Sequence, residues 1–419
     1  MQTIAVMQNW AGTYRYRAWR LHRPTTIEEV QELVARLARV RVLGSRHSFT
    51  DIADSDELIS LDGLPPEIAL DREARTISFS GAMRYGDLAA HLNEHRVALA
   101  NLASLPHITV AGAVATATHG SGEGLGNLAT SVGGLQLVSS NGEVIERRRG
   151  EPDFDGMVVG LGALGVVTRL TLDVEPAFDV SQRVYEGLPW DAVLDHFNEV
   201  EGRGYSVSLF TYWDDVVEQV WIKRRTDDGQ DDALTDLFGA RPATVQRHPI
   251  SGMDPSNCTP QLGVPGAWSD RLPHFAMAHT PSAGEEVQSE YLVPRRHARE
   301  AIEAVRRLAH RVRPLLQVSE LRLVAADDLW MSPQYGTDTL GIHFTWVRDV
   351  DAVRGVLPEV EAALGPLGTR PHWAKLFVAD ASSIGPHYER RGDFLRLLER
   401  VDPRGAFRNP WLERTVIGQ

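Results

Sequence analysis

Val42-Leu43-Gly44-Ser45-Arg46-His47-Ser48-Phe49 leaves a short apolar run and turns at once. A Gly-Ser turn after a buried strand bares several backbone N–H groups together, and such a nest takes an anion. A plain β-turn would be spelled the same way. A second segment tips the balance. Gly112-Ala113-Val114-Ala115-Thr116-Ala117-Thr118-His119-Gly120-Ser121-Gly122 carries almost no large side chain, so its backbone can approach a ligand closely. Two such loops in one domain can clamp a long, flat ligand bearing a diphosphate. His47, inside the first loop, reads either as a solvated histidine or as a nucleophile held beside that ligand.

The surrounding elements read outward from this turn. Ile27, Val30, Leu33, Val34, Leu37 and Val40 fall at helical spacing, and Thr26 with Glu29 spells a capping box. Strands are expected at 40–43, 58–61, 76–80 and 166–174, and a helix at 85–95. Residues 135–139 and 143–146 flank Asn141-Gly142, the signature of a type I′ hairpin. Gly160-Leu161-Gly162-Ala163-Leu164-Gly165 matches GxGxxG, but a dinucleotide fingerprint needs a helix after it. Residues 166–172 alternate like a strand, so a tight loop entering a buried strand is the better reading.

The middle of the chain reads differently. Strands are expected at 206–212, 219–223, 289–292, 316–324 and 340–347, a helix at 298–312, and an irregular excursion over 226–267. That pattern gives an α+β chain whose second part is an antiparallel sheet. Glu320 and Arg322 share one strand face, their Cα atoms about 6–7 Å apart. On 340–347, Ile342, Phe344 and Trp346 form an apolar face, while His343 and Thr345 form the polar one. A solvated face with cross-strand ion pairs fits this patterning as well as a binding site does. Lys375 sits among bulky apolar neighbours, which snorkelling also explains. His91 and His95 form HxxxH with no third ligand apparent, so a solvated helix face is expected and no metal site.

Composition excludes several classes. The 419 residues carry 43 Lys+Arg against 56 Asp+Glu, a net charge of -13, which argues against nucleic acid and anionic membrane as partners. The single cysteine, Cys258, excludes a disulfide framework. No signal peptide and no membrane-spanning run are expected, so a soluble cytoplasmic protein is the default. A monomer is expected as well.

Residues 42–49 resemble the flavin-attachment loop of the vanillyl-alcohol-oxidase-type FAD family. Residues 103–112, 118–122, 161–168, Glu320-Leu321-Arg322, His343-Phe344-Thr345-Trp346 and 370–375 resemble its alditol (xylitol, sorbitol) oxidase branch, in the same order along the chain. The resemblance implies a two-domain PCMH-type FAD-binding fold, with an FAD domain over 1–175, a substrate domain over 176–385 and a C-terminal segment, 386–419, returning to the first. It implies FAD bound covalently through His47. The family often has glycine where this chain has Arg46. By the same carry-over Val42, Leu43, Gly44, Ser45, Arg46, Ser48, Ser104, Thr109, Gly112, Thr116, Ala117, Thr118, His119, Val167 and His372 contact FAD. Ser104, Glu320, Arg322, His343, Thr345 and Lys375 line a polyol site, Arg322 and Lys375 being catalytic. The implied reaction oxidises a terminal CH2OH to the aldehyde and reduces O2 to H2O2. A sugar-lactone oxidase or dehydrogenase of the same family, or a non-enzymatic flavin-binding protein, are the alternatives.

Overall fold

The computed structural model describes residues 7–229, 234–277 and 285–418. Residues 1–6, read above for a leader, and 230–233, within the expected excursion, lie outside the described residues. The helix Ile27–Arg36 forms as its spacing predicts, burying Val30 and Val34, with Thr26 accepting from the Glu29 N–H. The Glu29 carboxylate reaches back to Thr25 rather than to Thr26. Next to this helix lies a small parallel sheet in the order Arg20–His22, Glu57–Ile59, Val40–Val42. The turn at residues 42–48 leaves the last of these strands.

A five-stranded antiparallel sheet follows, ordered Ile68–Asp71, Thr76–Ser80, Val166–Asp173, Val132–Val138, Val144–Arg148. Its hairpin is not type I′. The Gly142 N–H bonds the Ser139 carbonyl at 2.9 Å, and positive φ occurs at Gly142 (+80°) but not at Asn141. Gly142 thus follows the turn instead of occupying its centre. It lies against the first helix, where Gln31 Nε2 donates to its carbonyl at 2.6 Å. The small-residue segment is not all loop either: Val110–Ala115 is a short helix starting at Thr109.

The middle of the chain builds one antiparallel sheet. Its order is Arg241–Pro242, Asp179–Pro189, Val216–Arg225, Ser206–Thr211, Leu316–Val324, Thr339–Val347, Glu286–Pro294, Arg370–Pro371, and Gly266–Ala267 also pairs with the second strand. One face is apolar. Leu321, Leu323, Leu340, Ile342, Phe344 and Trp346 pack against Ala301, Ile302, Val305, Val353 and Leu357 of the helices Ala298–Arg307 and Val350–Leu364. The helix expected over 298–312 breaks at Leu308, where the N–H turns back to Val305 in a tight turn. The strand Asp179–Pro189 and the helices Trp190–Glu201 and Val350–Leu364 were not anticipated. Among the described residues no helix is long and apolar enough to cross a membrane.

The C-terminal helix Arg391–Val401 buries Phe394, Leu397 and Leu398 in the core shared by the five-stranded sheet. Beyond it, Asn409 Nδ2 donates to the carbonyls of Asp51, Ile52 and Asp54. Arg41 is the buried tie between these pieces. Its guanidinium donates to the carbonyls of Ile52, Leu161, Gly162 and Phe407. The GxGxxG loop therefore turns carbonyls to a cation, the wrong polarity for a pyrophosphate, and a strand, Val166–Asp173, follows it. Arg41→Met would leave all four of these carbonyls without their charged donor. It is expected to cost at least about 3 kcal/mol of stability, read from denaturant unfolding.

Candidate active site

The turn at residues 42–48 is shaped by its neighbours. Gly44 packs so close to Thr109 that a Cβ there would lie 2.5 Å from Oγ1. Ser45 Oγ accepts from the Thr109 N–H at 3.1 Å, and so joins this turn to the start of the small-residue helix. Arg46 has φ +63°, the left-handed conformation that glycine adopts freely. Its carbonyl accepts from the Trp10 N–H at 2.8 Å, and the Trp10 ring stacks on His47 with centroids 5.3 Å apart. The Phe49 N–H bonds the Ala374 carbonyl at 2.8 Å, bringing the His47 turn to the segment that carries Lys375.

Both ring nitrogens of His47 are buried without a hydrogen bond of normal geometry. Burial pulls its imidazole down to about 4, with His107 adding to the shift and the Ser45 backbone opposing it. A neutral, unpartnered imidazole is a competent nucleophile and costly to leave unpaired. It stands in a cavity whose walls include Gly44, Thr109 and Gly112, where side-chain-free backbone leaves room for a flat ring system. Gly112 itself lies close enough to Thr109 that a Cβ would come within 2.8 Å of Oγ1. The residues present thus fit FAD, with a histidine free of hydrogen bonds in the turn at residues 42–48.

The same cavity reaches the polar face of the large sheet. It is lined by Ser104, Glu320, Arg322, His343, Thr345, His372 and Lys375, together with Val42, Leu43, Ser45, Arg46, Ser48, Thr116, Thr118 and His119. Two expected flavin contacts are not brought there. Ala117 is fully buried in the core shared by the five-stranded sheet, with φ +50°. Val167 lines a separate small cleft with Ala111, Val114 and Leu164. The strand Val166–Asp173 alternates, and Val167 lies on the side of that cleft.

The polar face is buried, not solvated: Glu320, Arg322, His343 and Thr345 are each at most 7% exposed. Register explains the cluster. Glu290, His343 and Glu320 lie opposite one another on three neighbouring strands. Arg322 lies opposite Gly341, whose missing side chain leaves room beside the guanidinium. Lys375 Nζ donates to Glu290 Oε2 at 2.6 Å and approaches His343 Nδ1 at 2.7 Å. A lysine that donates to Nδ1 leaves the ring proton on His343 Nε2, which reaches Thr345 Oγ1 at 3.1 Å. A second Lys–His pair stands behind Glu320. Buried Lys223 meets His274 Nδ1 at 3.2 Å, and His274 Nε2 meets Glu320 Oε1 at 3.0 Å. Burial lowers the Lys223 ammonium to about 7. Burial opposes charge on Glu320, but Arg322 and His274 outweigh it and hold the carboxyl well below the usual range.

Sequence reasoning missed Glu290, Gln288, His274, Lys223 and Trp10. Glu286, Gln288 and Glu290 alternate along Glu286–Pro294, a polar face of the kind recognised on the two neighbouring strands. Trp10 and Lys223 carry no comparable local signal. Glu94 also lies beside His91 and His95, a third group the sequence reading did not count. His95 Nδ1 is already engaged by the His91 carbonyl.

Known proteins match this picture. Residues 20–147 match the model of the FAD binding domain family, and residues 277–415 that of D-arabinono-1,4-lactone oxidase. An alditol oxidase from a Streptomyces species is 48% identical over 415 residues, covering 98% of this chain and 99% of that protein. L-gulono-1,4-lactone dehydrogenase from Mycobacterium tuberculosis is 27% identical over 432 residues, 98% of this chain and 99% of that one. The crystal structure of cholesterol oxidase from B. sterolicum covers 98% of this chain and 96% of its own, with a TM-score of 0.77 at 13% identity, a likeness of fold. Fold and site together define a flavin-dependent oxidoreductase of the vanillyl-alcohol-oxidase type. Within that class the chain belongs to the alditol oxidase family.

Arg46 holds by its backbone a shape that glycine would hold without strain. Arg46→Gly is therefore expected to leave thermal stability within about 1 kcal/mol of the parent. Arg46→Val, β-branched in the left-handed region, should lower it by more than about 1 kcal/mol. Thermal unfolding of the two variants checks the contrast.

Proposed function

We propose that the chain oxidises the terminal C1 hydroxyl of linear polyols such as xylitol and sorbitol to the aldose, with O2 reduced to H2O2. The observation that carries the reading is the gathering of Glu320, Arg322, His343, Thr345 and Lys375 in one cavity with the His47 turn. A polyol has almost no apolar surface, so its recognition rests on paired hydrogen bonds, and a site built for them rejects ligands that leave them unmade. FAD, when bound, supplies the hydride acceptor and the route to oxygen.

The chain's own residues bind the polyol and manage its proton. Arg322 and Lys375 place cationic donors where an alkoxide would develop. Burial draws the Lys375 ammonium below the usual lysine range, which also suits it to take the proton. Thr345, whose hydroxyl accepts from His343, keeps its own proton for a substrate oxygen. Glu320, clamped by His274 on one oxygen, keeps lone pairs for a substrate hydroxyl. Ser104 closes the same cavity from the FAD side. A sugar-lactone oxidase remains the nearer alternative, since residues 277–415 match a lactone oxidase model. The closer identity to the alditol oxidase favours the polyol reading.

Finer features belong to the same proposal. The flavin is attached through His47. Residues 1–175 and 386–419 hold FAD and 176–385 hold the substrate. The protein acts as a cytoplasmic monomer. Anaerobic addition of xylitol to the yellow protein should bleach it with no other reductant. Bleaching by a sugar lactone and not by xylitol would favour the alternative.

The attachment is read directly. Acid-precipitated protein is expected to keep its yellow colour, and His47→Ala to release it into the supernatant. A colourless parent pellet would refute the linkage. The chemistry is read by rapid anaerobic mixing. Lys375→Met and Arg322→Met should each slow flavin reduction by about 10²–10³ at saturating xylitol. Glu320→Ala should act mainly on xylitol affinity. Equal reduction rates in both cationic variants and the parent would overturn the assignment.

A further inference from the structure

Glu290 has no exposed side-chain surface and is not among the residues that line the cavity. It nevertheless bonds both cations of the site. Arg322 Nε and Nη2 reach its Oε1 at 3.1 and 2.8 Å, and Lys375 Nζ reaches its Oε2 at 2.6 Å. His119 Nε2 stands 3.4 Å from Oε1, and His343 Nδ1 stands 3.5 Å from Oε2. The space for this contact is built in. A Cβ on Gly341 would come 3.1 Å from Glu290 Oε1. The Glu290 carbonyl also accepts from the His372 N–H at 2.9 Å, and the Gln288 carbonyl from Leu376 at 2.8 Å. Lys375 is therefore delivered to Glu290 by the backbone on both sides of it.

We propose that Glu290 is a positioning residue that fixes the aim of Arg322 and Lys375 and sets the charge of Lys375, an inference that rests on the polyol oxidase reading. The argument is one of counter-charge. A guanidinium and an ammonium side by side repel, and both lose hydration on burial. Glu290 gives each its own oxygen, so the two point into the cavity as separate donors. Burial opposes ionisation of Glu290, but Arg322 and Lys375 outweigh it and hold the carboxyl well below the usual range. Lys375 faces Glu290 from Glu286–Pro294, His343 from Thr339–Val347, and Arg322 and Glu320 from Leu316–Val324. His119 and His372 complete its surroundings. Burial and Arg322 pull its proton off, while Glu290 and Glu320 hold it on. Without the Glu290 charge the holding side weakens, and Lys375 loses its proton at lower pH.

The test is the pH profile of xylitol-driven flavin reduction in the flavin-loaded parent and in Glu290→Gln. The limb that Lys375 governs should move down by about one pH unit or more. It is the basic limb if Lys375 acts charged, the acidic limb if it acts as the base. In a Lys375→Met background that limb should be gone, and Glu290→Gln should move nothing further. Xylitol affinity, read without turnover from tryptophan fluorescence of the reduced protein, should weaken in Glu290→Gln. Profiles that superimpose, with parent rate and affinity, overturn the proposal. If Glu290→Gln fails to load flavin, Glu290→Asp decides. It keeps the charge but draws it back, so reduction should fall by about tenfold or more with flavin content unchanged. A parent rate in Glu290→Asp overturns the proposal. A parent protein that xylitol does not reduce strikes the functional reading instead, and that result is separate from any difference between parent and variant.

Discussion

A buried charge needs a counter-charge or a ring of directed dipoles to replace the water it loses, and the interior of this protein is organised around that constraint. The large sheet turns one face to helices and the other to the cavity that also holds the His47 turn. On that face stand Glu290, Glu320, Arg322 and His343, each at most 7% exposed, and Lys375 reaches them from the segment after Arg370–Pro371. The carboxylates stay ionised because Arg322 lies between them, 2.8 Å from Glu290 and 3.6 Å from Glu320. The histidines stay neutral, burial holding His119, His274 and His343 at about 4. Neutral imidazoles then serve as relays that pass a lysine's hydrogen-bond direction on to Thr345 and Glu320.

That arrangement needs the strands in one register. Glu290, His343 and Glu320 meet because their three strands align, and Arg322 fits because its row holds Gly341. A slip by one residue would turn every one of these groups toward the helices and bring Phe344 and Trp346 into the cavity. The apolar packing of Ile342, Phe344 and Trp346 against the helices therefore also holds the polar cluster in place.

The His47 turn is held from three distant parts of the chain. Trp10 stacks on it, Thr109 bonds Ser45, and Ala374 bonds Phe49. Ala374 adjoins Lys375, so the histidine turn and the buried polar cluster share one mechanical connection. Arg46 accepts a backbone shape suited to glycine because these contacts over-determine the turn. Its side chain is exposed, and Nη1 donates to the Gln8 carbonyl at 3.4 Å.

Local pattern alone determined much of this protein. Period-two alternation placed Glu320 with Arg322 and His343 with Thr345, helical spacing placed Val30 and Val34 inside, and small residues marked both loops at the cavity. The resemblance of short motifs supplied the flavin and the polyol. What tertiary structure decided was whatever depends on partners far along the chain. Alternation cannot tell a solvated polar face from a buried one, because that depends on what covers the sheet. It can mark Glu290 as one member of an alternating polar face, but not its partners, Arg322 and Lys375, 32 and 85 residues away. It spelled a type I′ turn at Asn141-Gly142, which contact with Gln31 and the Ser139 turn made otherwise. It offered GxGxxG, whose carbonyls a buried arginine from another strand had already claimed. Periodicity is a property of neighbours in sequence, whereas charge pairing, register and burial belong to neighbours in space.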